Sequence, residues 1–92
     1  MKTTFAYDKK ANKPHYQVRH ADIDEREFGE ALAGPVVVLG QSGAVLKAVG
    51  RTLKGRFLTA VFIRRAGHDH VMTGWPAKRK QILLWHREMK KT

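Results

Sequence analysis

The sequence predicts an α+β domain over residues 1–92: an antiparallel sheet, built as a four-stranded meander plus a short N-terminal strand, with two N-terminal helices and one C-terminal helix. Three observations predict it. Four short apolar runs between residues 36 and 75 are separated by glycine-bearing turns, and short connections favour antiparallel neighbours. Residues 24–33 and 76–89 carry apolar side chains at helical spacing. A chain of 92 residues is one domain long and buries a modest core.

Phe5-Ala6-Tyr7 alternates weakly and reads as the short first strand. Asp8 is placed to cap a helix over Lys9–Asn12, with Pro14 early in the segment and Tyr16 and Val18 as its apolar contacts. Asp24-Glu25-Arg26-Glu27 has capping-box spacing, and Ile23 and Phe28 have staple spacing. Phe28, Ala31 and Leu32 form one face, and Gly34-Pro35 ends this second helix. Val36–Leu39 is a β-branched strand, and Gly40-Gln41-Ser42-Gly43 is a turn. Val45–Arg51 follows, with Lys47 on the same face as Val45, Val49 and Arg51. Leu53-Lys54-Gly55 turns the chain into Phe57–Ile63, apolar on both faces and therefore central. Ala66-Gly67-His68 turns it again into Val71–Trp75, and Pro76 opens a helix reaching Met89. Ile82, Trp85 and Met89 make its apolar stripe, so Trp85 reads as core.

Composition narrows the function. The chain has no cysteine, which excludes disulfides, thiolate metal sites and a thiol nucleophile. No run approaches a membrane span or a signal peptide's apolar core, so a cytoplasmic protein without membrane contact is expected. The net charge is +10. Acids and bases balance over residues 1–44, so the whole excess lies in residues 45–92, where Asp69 and Glu88 are the only acids. So one-sided a balance points to an anionic partner.

Cleaving RNA through its 2′-hydroxyl needs a base, an acid and positive charge at phosphorus. Arg51 and Arg56 flank a tight turn, where both could face one phosphate. Lys47, Lys54, Arg64, Lys78 and Arg79 are candidate nucleic-acid contacts, and Trp75 is a candidate stacking platform or a core residue. His15, His20, His68, His70 and His86 are the available proton carriers, with His70 favoured by its place on the strand that leads to Trp75. The two histidines of His68-Asp69-His70 would share a strand face, but no third ligand is placed near and the segment lies at a turn, so no metal and no cofactor is expected.

These pieces occur in a familiar order. F-A-Y-D at Phe5–Asp8, Arg19-His20, F-G-E-A at Phe28–Ala31, V-G-R-T-L-K-G-R-F-L-T-A-V-F at Val49–Phe62 and V-M-T-G-W-P-A-K-R-K leading into the last helix resemble the BrnT-like toxins of bacterial toxin–antitoxin pairs, a branch of the RelE-like ribonuclease fold. The resemblance covers nearly the full length. It implies a metal-independent endoribonuclease that stops translation by cutting mRNA, free or on the ribosome. It also implies neutralisation by a cognate antitoxin, and contact with promoter DNA only through that antitoxin. It matches Arg51 and Arg56 to the arginines of the family's G-R-x-x-x-G-R block and His20 to its helix-end His, and these with His70 are the expected catalytic residues. Many relatives have Arg where Trp75 stands and Glu where Gln81 stands. Those two departures motivate a second reading, a non-catalytic nucleic-acid-binding module on the same fold; a third is a protein-interaction domain whose basic face docks an acidic partner.

Overall fold

The computed structural model describes residues 2–20 and 22–91. Strand β1 (Lys2–Phe5) precedes a small ladder of β2 (Tyr7–Asp8) with β3 (Lys13–Pro14), a 3-10 turn (His15–Val18) and helix α1 (Glu25–Ala33). Strands β4 (Val36–Ser42), β5 (Val45–Arg51), β6 (Phe57–Arg65) and β7 (His68–Pro76) then follow in antiparallel succession, and helix α2 (Arg79–Met89) closes the chain. The main sheet has the order β1-β7-β6-β5-β4, with β1 parallel to β7. No helix of the described residues is long and apolar enough to cross a membrane.

This architecture corrects the expected one. The sheet is not an antiparallel meander with a short strand appended. It is a mixed five-stranded sheet, because Lys2–Phe5 lies alongside His68–Val71 in parallel register. Local sequence patterns do not encode a pairing between segments so far apart. Nor do two helices precede β4. Lys9–Asn12 turns between β2 and β3, and Asn12 takes a left-handed conformation at φ 57°. Four residues are too few to repay helix nucleation, and Asn tolerates that backbone region. The Tyr7 hydroxyl donates to Asn12 Oδ1 at 2.7 Å and ties the turn. The Asp8 side chain, expected as a cap, lies outside the described part.

Helix α1 starts where its local chemistry directs. Asp24 Oδ1 accepts from Arg26 N–H at 3.0 Å, and Glu27 Oε1 accepts from Asp24 N–H at 3.0 Å. Ile23, Phe28, Ala31 and Leu32 are buried against Leu58, Ala60, Phe62 and Val71 of the sheet. Two glycines allow that contact. A Cβ on Gly50 would run into the Ala31 carbonyl oxygen, and one on Gly74 would run into the Phe28 ring.

The strands run longer than the sequence suggested. β4 continues through Gly40-Gln41-Ser42, and β7 occupies His68 to Pro76. Helix α2 accordingly begins at Arg79 rather than at Pro76. It packs on the face opposite α1. Trp85 meets Phe57 edge-on at 5.1 Å between ring centroids, and its indole N–H donates to the Pro35 carbonyl at 3.1 Å. Gln81 Oε1 accepts from the Thr59 hydroxyl at 2.6 Å and from Lys78 N–H at 3.1 Å, tying the start of α2 to β6.

Gly74→Ala forces the Phe28 ring or the sheet to move, and overpacking of this kind costs about 1–3 kcal/mol. Its melting temperature is expected to fall by at least roughly 4 °C. Gly40→Ala, which meets nothing within 4 Å, is expected to stay near wild type. Thermal melts followed by circular dichroism compare the two.

Candidate nucleic-acid interface

Strand alternation sorts the side chains between the two faces. Leu58, Ala60, Phe62 and Arg64 of β6 face α1, as do their register partners Gly74, Val71 and Asp69 on β7. Phe57, Thr59, Val61, Ile63 and Arg65 face the other way, with Thr73, Trp75, His70 and His68 of β7 and Val45, Lys47, Val49 and Arg51 of β5. Helix α2 covers only part of that second face, over Phe57 and Thr59. Beyond it Lys47, Val61, Ile63, Thr73, Trp75, His68 and His70 remain half-buried rather than sealed.

Of the residues expected to act, Lys47, Trp75 and His70 share this uncovered face, with Lys47 beside Trp75 and His70 further along β7. Lys47 Nζ stands 5.4 Å from the Trp75 ring centroid, within range of a cation–π contact. Lys78 and Arg79 follow Trp75 closely and are exposed at the start of α2.

The others have different surroundings. Arg56 is turned toward α1. Its Nη2 donates to Asp22 Oδ2 at 2.7 Å and its Nη1 to Glu27 Oε2 at 3.3 Å. Arg51 sits at the end of β5 on this second face, one row beyond Val49, Thr59 and Trp75, with its guanidinium 5.8 Å from the Phe57 ring centroid. Arg51 and Arg56 therefore serve different surroundings instead of converging on one point. Lys54 is exposed in the β5–β6 turn, which is tied to α1 through Leu53 N–H and Glu30 Oε1 at 3.2 Å. His20 lies in the loop before α1, where its backbone carbonyl accepts from Ile23 N–H.

Arg64 is fully engaged on the α1 face. It holds the buried Asp69 carboxylate in a fork at 2.7 and 2.9 Å and donates to the Leu32 carbonyl at 3.0 Å. The Asp69 partner raises the Arg64 pKa further above its usual value. His86 is exposed on α2 beside Phe57, and the His15 side chain is outside the described part.

The uncovered face also holds Thr4 and Arg65, which were not among the expected site residues, and His68, expected only as one of five available proton carriers. Thr4 Oγ1 lies 2.7 Å from His68 Nε2 and 2.8 Å from His70 Nδ1. Arg65 and His68 line a shallow depression of about 220 Å³ with Ile63 and His70. The alternation of 68 with 70 was a visible signal for His68. Thr4 carried none, because it arrives with the β1–β7 pairing.

No acid is in register on this face among the described side chains. Asp22, Asp24, Glu25, Glu27 and Glu30 lie on α1 and its entry loop, and Glu88 pairs with Lys91 at 3.3 Å. Among the described residues no group of three or more potential metal ligands occurs. Fold and face together define an α+β protein with an exposed, aromatic and cationic sheet surface. Comparison with protein-family models, with curated proteins and with solved structures finds no significant match.

Two outcomes test the division of the arginines. Arg64→Ala strands the Asp69 carboxylate in the core and is expected to cost about 3–5 kcal/mol, while Arg65→Ala, exposed on the other face, stays within about 0.5 kcal/mol; urea unfolding measures both. The hydrogen bond from Arg56 holds the Asp22 carboxyl below its ordinary value of 3.8. A depressed carboxylate stabilises above its unfolded pKa and loses that contribution as pH falls through the folded one. The stability gap between wild type and Arg56→Ala is therefore expected above about pH 4 and should narrow below it, read from unfolding midpoints across pH.

Proposed function

We propose that this protein is the ribonuclease toxin of a toxin–antitoxin pair, and that it binds single-stranded RNA along the uncovered sheet face. The observation that carries the reading is the pairing of Lys47 with Trp75, on a sheet face that also presents His70 and on which no described acid is in register, in a chain with net charge +10. Trp75 offers a ring on which any base can stack. The ammonium of Lys47 is held beside that ring, where the phosphate of a stacked nucleotide passes. Lys78 and Arg79 extend the cationic track past Trp75. A half-exposed aromatic next to a lysine suits an unpaired strand better than a duplex, whose bases are not free to stack on protein.

The resemblance to BrnT-like toxins supplies the cutting and the biological setting: mRNA as target, growth arrest as outcome, and an adjacent antitoxin as the neutralising partner. A second reading, an RNA-binding module without catalysis, draws on a specific observation. Gln81 is occupied by Thr59 and the Lys78 N–H, at a position where relatives carry Glu. A labelled single-stranded RNA separates the two: the ribonuclease yields discrete fragments, the module a shifted band of intact RNA. No shift at low salt would remove both and leave a protein-docking surface.

Trp75→Ala is expected to weaken single-stranded RNA binding by about 1–3 kcal/mol, roughly 5- to 150-fold. Lys47→Ala is expected to reduce the slope of log affinity against log salt by about one phosphate contact. Fluorescence anisotropy across a salt series reads both.

A further inference from the structure

We propose that His68 and His70 form the proton-transfer pair of the RNA-cleaving site, with Thr4 as the residue that positions them. This assignment rests on the ribonuclease reading above and specifies which groups move the protons. The two histidines alternate on β7 and share a face, and β1 brings Thr4 into register with His70. The Thr4 hydroxyl lies within hydrogen-bond distance of a ring nitrogen of each, 2.7 Å from His68 Nε2 and 2.8 Å from His70 Nδ1. Both rings are half-buried at the depression lined by Ile63 and Arg65. The charged groups around them are Lys2, in register with His68 on β1, and Arg65, in register with it on β6. Asp69, between them in sequence, faces the other way and is held by Arg64, so its carboxylate does not compete for either ring.

A hydroxyl oxygen has two lone pairs and can accept one N–H from each imidazole. Held so, His68 turns Nδ1 and His70 turns Nε2 away from Thr4. A neutral ring then offers a bare nitrogen there, and a protonated ring offers an N–H. The neutral ring removes the proton from the ribose 2′-hydroxyl as the 2′ oxygen bonds to phosphorus. The bond from phosphorus to the 5′ oxygen breaks, and the protonated ring gives its proton to that oxygen. The products are a 2′,3′-cyclic phosphate and a 5′-hydroxyl, with one proton taken up and one released. Arg65 and Lys2 oppose the charge that gathers on the phosphate oxygens.

The experiment uses the full chain and a short single-stranded RNA, with fragment ends identified by mass. Cyclic-phosphate ends are expected, with no cutting where the scissile ribose is 2′-deoxy. His68→Gln and His70→Gln keep an amide that can reach Thr4, and each is expected to lower kcat by about 10²- to 10⁴-fold with RNA affinity within about twofold. Thr4→Val is expected to lower kcat and change the bell-shaped pH–rate profile, and Thr4→Ser to restore it. If both His variants melt like wild type and cut like it, the pair assignment falls while the ribonuclease reading stands. Cutting that EDTA abolishes and a divalent cation restores also overturns the pair, in favour of metal-assisted cleavage. If wild type binds RNA and cuts none, both readings fall together.

Discussion

The ring of Phe28 lies against Gly74, in space that any side chain there would occupy. Much of the rest depends on that contact. It lets α1 lie close on the sheet, and Phe5 and Tyr16 pack around the same ring at 6.2 and 4.7 Å between centroids. Tyr16 is sealed enough that burial raises its pKa, and its hydroxyl donates to the Ile23 carbonyl at 3.0 Å. One face of the sheet is thereby filled. The second face has only α2, whose 11 residues span about 16 Å. A helix that short covers the β4–β6 side and leaves the β7 side, with its parallel neighbour β1, open.

The charge distribution follows the same division. Five of the six acids of the first half gather on α1 and its entry loop, where Asp22 and Glu27 engage Arg56 and Glu30 engages Arg26. Asp69 neutralises Arg64 within the α1 layer. The basic excess is therefore expressed on the other side and along α2. For an RNA strand this is a useful asymmetry, because the attractive field and the open aromatic ring coincide. The two arginines of the Val49–Phe62 block are divided in the same way. Arg56 is tied into the ion pairs of α1 and its entry loop, whereas Arg51 stays on the second face beside Phe57.

Much of the local structure was legible in the sequence. The capping box at Asp24, the staple of Ile23 and Phe28, the Trp85 stripe and the order of β4 to β7 all depend on residues a few positions apart. Alternation already placed Lys47 and Arg51 on one side of β5. The ends of the strands were less legible, because Gly40 to Ser42 and His68 to His70 have turn-like composition and pair only because a neighbouring strand offers them partners. Lys9–Asn12 looked helical only until the Tyr7–Pro14 ladder competed for it.

By itself the sequence determined elements whose causes are local: the capped start of α1, the turns after β5 and β6, the alternation of faces and the half of the chain that carries the charge. The tertiary structure decided which of those residues meet. Arg56 finds Asp22 across 34 positions, and Thr4 finds His70 across 66. Such contacts are set by where the chain returns after folding, through the parallel docking of β1 and the close seat of α1. Neither the charge of an arginine nor the pattern of a strand specifies that return. The open face and its two histidines are consequences of packing, not of any motif.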